Sequence, residues 1–385
     1  MTPALGPPAL ATGGAPHASF ADHLRPGRAH IPALTGLRGY AACWVMLFHG
    51  WFIAWSAQPG LPPREAVPLV GRGYLGVDLF FVLSGYVLMM THGAALARWD
   101  RTALRTFARG RLFRILPLHW LVLLALLLLQ PFMASRWISV EPTGPGLFMQ
   151  TAFLVQSWTG HPMSWNTPTW SLSAEWAVYF AFPLLVRGMA PLGARGCIAV
   201  IGVGAVLIQA GAQASGGDGL DHVYALGLIR CFCEVPMGMA AYRLSVVESL
   251  PRGRDADPLL LGGLVLFAVG MLMPRWEALV PIAFLFVVLG ADAGSPLADR
   301  MFGNRPAHFL GEISFSIYLL HIPVLNLVWQ AAAPWVGASP ALVLVTLGGG
   351  CLLVIPLAWA TWRRVEVPAQ ARGRRTRHGP AQPVG

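Results

Sequence analysis

The apolar stretch LTGLRGYAACWVMLFHG (34–50) carries Arg38 near one end and His49 near the other. Ionisable side chains inside a bilayer face a cavity, a partner or a reaction rather than acyl chains. His49 follows Arg38 by eleven positions, close to three helical turns, so the two share a face about 16 Å apart along the axis. Four more ionisable residues interrupt apolar runs: Asp78 in GVDLFFVLSGY, Glu175 in WSLSAEWAVYF, Arg230 in GLIRCFCEVP and His321 in SFSIYLLHIPV. Histidine and glutamate are the usual proton carriers, which makes His49, Glu175 and His321 the candidates for acid–base or nucleophilic chemistry. Asp78 and Arg230 fit chemistry and a structural ion pair equally well, with Glu234 as another partner for Arg230. The hydroxyls of Thr35, Ser84, Ser171, Ser173 and Tyr318 can polarise a carbonyl, although a helix–helix hydrogen bond is the better account of Ser84 and Thr35.

A second set of residues suits anion binding. Arg111 and Arg114 stand at the start of an apolar run, beside Pro117, within RTALRTFARGRLFRILP. Arginine forks bind phosphate bidentately, so Arg38, Arg111 and Arg114 are candidates for holding a phosphate-bearing ligand. Snorkelling to headgroups is the alternative for Arg38, against which its shared face with His49 argues; membrane topology alone also accounts for the basic run, and the two readings of that run are compatible.

The elements that position these groups are membrane helices. The chain of 385 residues is 55% hydrophobic and only 11% charged, too little charge for a soluble surface. Its apolar runs approach the roughly 20 residues that a spanning helix needs and lack the alternation of a barrel strand. The pattern predicts an all-α, polytopic helix bundle with ten transmembrane spans, at 34–57, 73–92, 112–132, 168–187, 195–213, 222–243, 258–273, 277–291, 307–330 and 338–361. The segment 146–158 is too short to span and reads as re-entrant or interfacial. At about 1.5 Å per residue and a hydrocarbon core of about 30 Å, His49, Asp78, Glu175, Arg230 and His321 fall into one band just outside the midplane.

The formal net charge of +10 comes from arginine alone, without a single lysine. Scattered in loops, it reads as topology and excludes a nucleic-acid partner. With ten spans the inner loops collect most arginines and the outer ones keep Arg64, Arg72, Arg136 and Arg275, which places both termini in the cytoplasm. Residues 1–33 read as a disordered cytoplasmic tail, 34–361 as the transmembrane domain and 362–385 as a basic cytoplasmic tail. Cys43, Cys197, Cys231, Cys233 and Cys351 lie in apolar runs without metal-site spacing and read as small buried hydrophobes.

In order along the chain, LTGLRGYAACWVMLFH, GYLGVDLFFVLSGYVL, FARGRLFRILPLHW, PTWSLSAEWAVYFAFPLL, FLGEISFSIYLLHIPV and RRVEVP resemble the integral-membrane acyltransferase-3 family (O-acetyltransferase-like). Phe315 and His119 stand where the family often has tyrosine. The resemblance implies an O-acyltransferase of the bacterial inner membrane, with acyl-CoA as donor substrate and no permanently bound cofactor. It also implies a carbohydrate acceptor, usually a surface polysaccharide, with acetyl the usual group. Arg38, Arg111 and Arg114 would hold the CoA phosphates, while His49, Glu175 and His321 would carry the chemistry. Asp78, Ser84, Ser173, Arg230 and Tyr318 would support them. Some members carry an extracytoplasmic esterase-like domain; here such a transferase or esterase would be a separate partner. Trp137, Trp158 and Trp165 offer faces for sugar stacking, with membrane-interface anchoring the plainer account. Two alternatives remain: acylation of a small molecule or lipid-linked sugar at the cytoplasmic face, and a proton-coupled transporter. The second would show internal repeats, and none stands out.

Overall fold

Many of the helices begin with proline in the first turn, and the long ones continue through apolar residues of every kind. The computed structural model describes residues 31–58, 60–129, 144–163, 165–216, 219–336 and 339–374. Within them the chain is all-helical, without a strand. The N-terminal tail to residue 30, Arg136, Trp137, the side chain of Arg275 and the basic tail beyond 374 lie outside the described residues.

The elements are α1 (Pro32–Ala57), α2 (Gly76–Ala97), α3 (Arg101–Leu129), α4 (Pro145–Ala152), α5 (Thr169–Met189), α6 (Ala194–Ala214) and α7 (Val223–Val247). They continue with α8 (Asp257–Leu272), α9 (Val280–Asp292), α10 (Pro296–Phe302), α11 (Arg305–Glu312), α12 (Ser314–Val336), α13 (Pro340–Thr361) and α14 (Val367–Arg374). Among the described residues, six helical segments are long and apolar enough to cross a membrane, or up to seven if the pair Trp276–Asp292 and Pro296–Phe302, bent by 105°, counts as one. The chain is therefore read as a multi-pass membrane protein. Helices α1, α5 and α7 are long but fall outside that set. They carry Arg38 and His49, Glu175, and Arg230 with Glu234, and those polar groups lower their hydropathy. Prolines inside α3, α5, α7, α12 and α13 are tolerated where neighbouring helices satisfy the freed carbonyls.

The expected span 307–330 is two elements. Asn304 caps α11, accepting from the Ala307 amide at 2.9 Å, and α11 is amphipathic. After a break at Ile313, Ser314 donates to the Gly311 carbonyl at 2.8 Å and the apolar helix α12 begins. The segment 146–158 is the short helix α4 followed by a 3₁₀ turn, Gln156–Trp158. It is held to α3 where His119 Nε2 meets the Thr151 carbonyl and Trp120 Nε1 donates to that of Ala152, both at 2.8 Å. At the C-terminal end, α13 passes through a π-helical turn, Trp362–Glu366, into α14, which packs along α3.

Small residues set the closest helix contact. A Cβ on Gly85 of α2 would strike the backbone of Val235 in α7, and one on Gly238 of α7 would strike that of Val82. Without a hydrophobic force to separate helices from lipid, such close backbone packing is the main source of association. Helix α1 runs through the middle of the bundle. Leu34, Leu37, Ala41 and Val45 join the larger apolar core, while Ala42, Met46, Ile53 and Ala54 join a second one with α12 and α13.

Candidate active site

Arg38 of α1 and Arg111 and Arg114 of α3 converge on one cavity of about 140 Å³. Ser84 and Leu88 of α2, Ser171, Glu175 and Tyr179 of α5, and Ser314, Phe315 and Tyr318 of α12 complete much of its wall. Glu175 accepts a hydrogen bond from Ser84. The Arg111 guanidinium lies over the Tyr179 ring at 5.9 Å and that of Arg114 over Phe315 at 5.7 Å. These aromatic faces hold the cations without using up their N–H donors. Arg111 Nε is buried with no hydrogen-bond partner. Three guanidiniums facing one wall carboxylate leave the cavity cationic, suited to an anionic ligand.

Beyond the wall at Tyr318 stand the two histidines. His321 is fully buried, and its Nε2 lies 3.1 Å from Nδ1 of the half-buried His49. His321 Nδ1 faces the Ile317 carbonyl at 3.2 Å and His49 Nδ1 the Val45 carbonyl at 3.0 Å. A carbonyl only accepts, so each Nδ1 carries the proton. His321 Nε2 then accepts from His49 Nδ1–H, and the lone pair of His49 is left on Nε2. A histidine whose tautomer is set by a second group is arranged as a general base. Tyr318 connects the pair to the cavity. Its ring is 5.9 Å from that of His321, and its hydroxyl meets Ser171 Oγ at 2.6 Å and donates to the Pro168 carbonyl at 3.0 Å.

Asp78 and Arg230 form a separate unit. Both are buried, with Arg230 Nε donating to Asp78 Oδ1 at 2.8 Å, Nη2 to Oδ2 at 2.5 Å and Nη1 to the Leu220 carbonyl at 2.7 Å. The Trp170 ring lies 5.7 Å from the guanidinium. The ion pair joins α2 to α7 beside their glycine contact. Asp78 rather than Glu234 is the partner.

A family model described as Acyltransferase domain matches residues 31–363, from the start of α1 into the π-helical turn. The chain belongs to this acyltransferase family. Acyltransferase MdmB of Streptomyces mycarofaciens is 30% identical over 330 residues, covering 77% of this chain and 79% of that protein. O-acetyltransferase OatA of Staphylococcus aureus is 23% identical over 385 residues, covering 89% of this chain but 58% of its own length. The chain thus spans little more than half of that relative. No solved structure matches it.

In this acyltransferase the single polar band expected from helical depth is three sites. Glu175 sits with the arginines instead of orienting His49, whose partners are His321 and Val45. Ser173 faces away from the cavity, accepting from the Ser157 amide at 3.1 Å. Thr35 lies where α1 crosses α11, its backbone against Gly311. Trp158 donates to the Ser173 carbonyl at 2.7 Å and Trp165 is buried, so Trp165 presents no free face to a sugar. Tyr179, Ser314 and Phe315 are wall residues that spacing alone does not single out. Glu366 is buried and stands outside that lining, bonded to Ser316 next to Phe315; its sequence signal is the RRVEVP motif.

Proposed function

We propose that this acyltransferase is an O-acyltransferase of the bacterial cell membrane, with ten spans and both termini in the cytoplasm, that moves an acetyl or other short acyl group from cytoplasmic acyl-CoA to a hydroxyl of a surface glycan. The observation that carries the proposal is the meeting of Arg38, Arg111 and Arg114 on one cavity whose Tyr318 wall adjoins the histidine pair. The cavity is too small for a whole CoA. The arginines would hold its phosphates at the mouth while the acyl-pantetheine arm enters.

His49 Nε2 takes the proton of the acceptor hydroxyl. The oxygen attacks the thioester carbonyl, the C–S bond breaks, and the departing thiolate takes up a proton, so the ester and free CoA thiol balance the reaction. His321 and the Val45 carbonyl together hold the His49 tautomer that keeps Nε2 basic. Ser84 and Glu175 line the path of the acyl arm, and Tyr318 and Ser171 supply hydroxyls near the carbonyl. Family membership decides against the transporter alternative.

The test is turnover of labelled acetyl-CoA by the purified protein with a glycan acceptor, His49→Ala against wild type, both eluting as one species. Removing a general base lowers kcat by about 10²–10⁴-fold. Retained turnover in a well-folded His49→Ala protein would refute the assignment. Label appearing in a small molecule or lipid-linked sugar instead of glycan would redirect the acceptor and leave the donor site standing.

A further inference from the structure

One buried ionisable group near the cavity has no part in the steps above. Glu366 is 1% exposed and ends the π-helical turn Trp362–Glu366. A π turn inserts an extra residue and rotates the downstream side chains by about 100°, and such turns gather at functional sites. Here it brings Glu366 against α12, where Oε1 accepts from Ser316 Oγ at 2.5 Å and Ser316 is in turn bonded by Thr361 Oγ1 at 3.0 Å.

The other carboxylate oxygen, Oε2, is buried with no hydrogen-bond partner. A buried carboxylate left so is costly unless cations answer it. Arg114 and Arg38 are the cations whose charge reaches Glu366. Its neighbours on α12 form the cavity wall: Ser314 and Phe315 line it, with Arg114 over the Phe315 ring. Glu366 is not itself part of the lining. The three arginines repel one another across a small space, and a membrane offers each an alternative, to snorkel toward the headgroups.

We propose that Glu366 is a positioning residue, the fixed counter-charge behind the wall that keeps Arg38 and Arg114 aimed into the cavity, an inference that rests on the acyl-CoA donor site proposed above. The π turn is the device that delivers it.

The test uses the full chain in detergent, with acetyl-CoA as the varied substrate and CoA as the binding probe. Arg114→Ala, Glu366→Gln, Glu366→Asp and the Arg114→Ala/Glu366→Gln double variant are compared with wild type. The expected result is a KM and a CoA Kd raised about tenfold in Glu366→Gln, with kcat within about twofold, and recovery in Glu366→Asp. Added to Arg114→Ala, Glu366→Gln has little further effect, because it acts through that side chain. If Arg114→Ala weakens CoA binding and Glu366→Gln leaves it unchanged, tightens it or adds fully to Arg114→Ala, the positioning role is overturned and the donor site stands. If Arg114→Ala leaves CoA binding unchanged, the donor site falls and the role of Glu366 with it. Should Glu366→Gln not elute as a single species, Ser316→Ala keeps the charge and removes its tether. Its expected KM rise is about threefold, and an unchanged KM overturns the role.

Discussion

Two of the places where the bundle holds arginine and carboxylate together are built in opposite ways. At Asp78–Arg230 one cation meets one carboxylate in a bidentate fork, Nη1 reaches the Leu220 carbonyl, and both side chains are buried. At the cavity three arginines meet one wall carboxylate, that carboxylate is bonded to a serine, and Arg111 Nε has no partner. A closed fork between two helices has its charge answered and no wall on the cavity. An over-supplied cationic wall has donors in hand. Both sites cost desolvation in lipid, but only the second leaves that cost to be offset by something that binds.

The contrast breaks first, and most severely, at the fork. Arg230→Leu leaves the Asp78 carboxylate buried alone, at a cost of about 3–5 kcal/mol, read as a large fall in thermal midpoint or loss of single-species elution. Replacing both partners by leucine should recover much of it. An Arg230→Leu protein of normal stability that lost only turnover would move the fork into the active site.

The next largest effect is expected at the histidine pair. His321→Ala removes one of the two acceptors, with the Val45 carbonyl, that hold the His49 tautomer and ring and should lower kcat about 10²-fold with a small change in stability; an equal loss of stability and activity would make the pair structural. At the cavity, Arg111→Ala should raise the KM for acetyl-CoA about tenfold, a loss of about 1.4 kcal/mol, leaving the thermal midpoint near that of wild type. A fall in midpoint matching that of Arg230→Leu would erase the distinction between the two sites. The smallest change is Ser84→Ala. Glu175 loses a donor but stays at the cavity, so kcat/KM should fall by a few-fold, or about 1 kcal/mol.

Sequence shows the helices well because apolar runs of spanning length have few other uses. It also brings Arg38, Arg111 and Arg114 forward as a group and pairs His49 with Arg38 on one face of α1. What it does not show is azimuth between helices. Depth along each helix puts Glu175 level with the histidines, yet its direction is set by how α5 packs on α2, where Ser84 receives it. The same blindness merges α11 with α12, since an amphipathic turn followed by an apolar run reads as one span until the break at Ile313. Glu366 is harder still. Counting by 3.6 residues from α13 points it along the wrong face, because the π turn adds a residue to the count.

The glycine contact between α2 and α7 has a consequence for how the bundle breathes. Helix α2 carries Asp78 of the fork, Gly85 of the contact and Ser84 of the cavity wall within two turns. The opposite wall, on α3, is tied to α14 by an exposed hydrogen bond of 3.0 Å from Arg109 to the Arg372 carbonyl. On a hydrogen-exchange map, the amides of α2 and α7 should be the slow pole and those where α3 meets α14 the fast one. Ser84, on the slow pole, is then the fixed reference against which movement of Arg111 and Arg114 would be read.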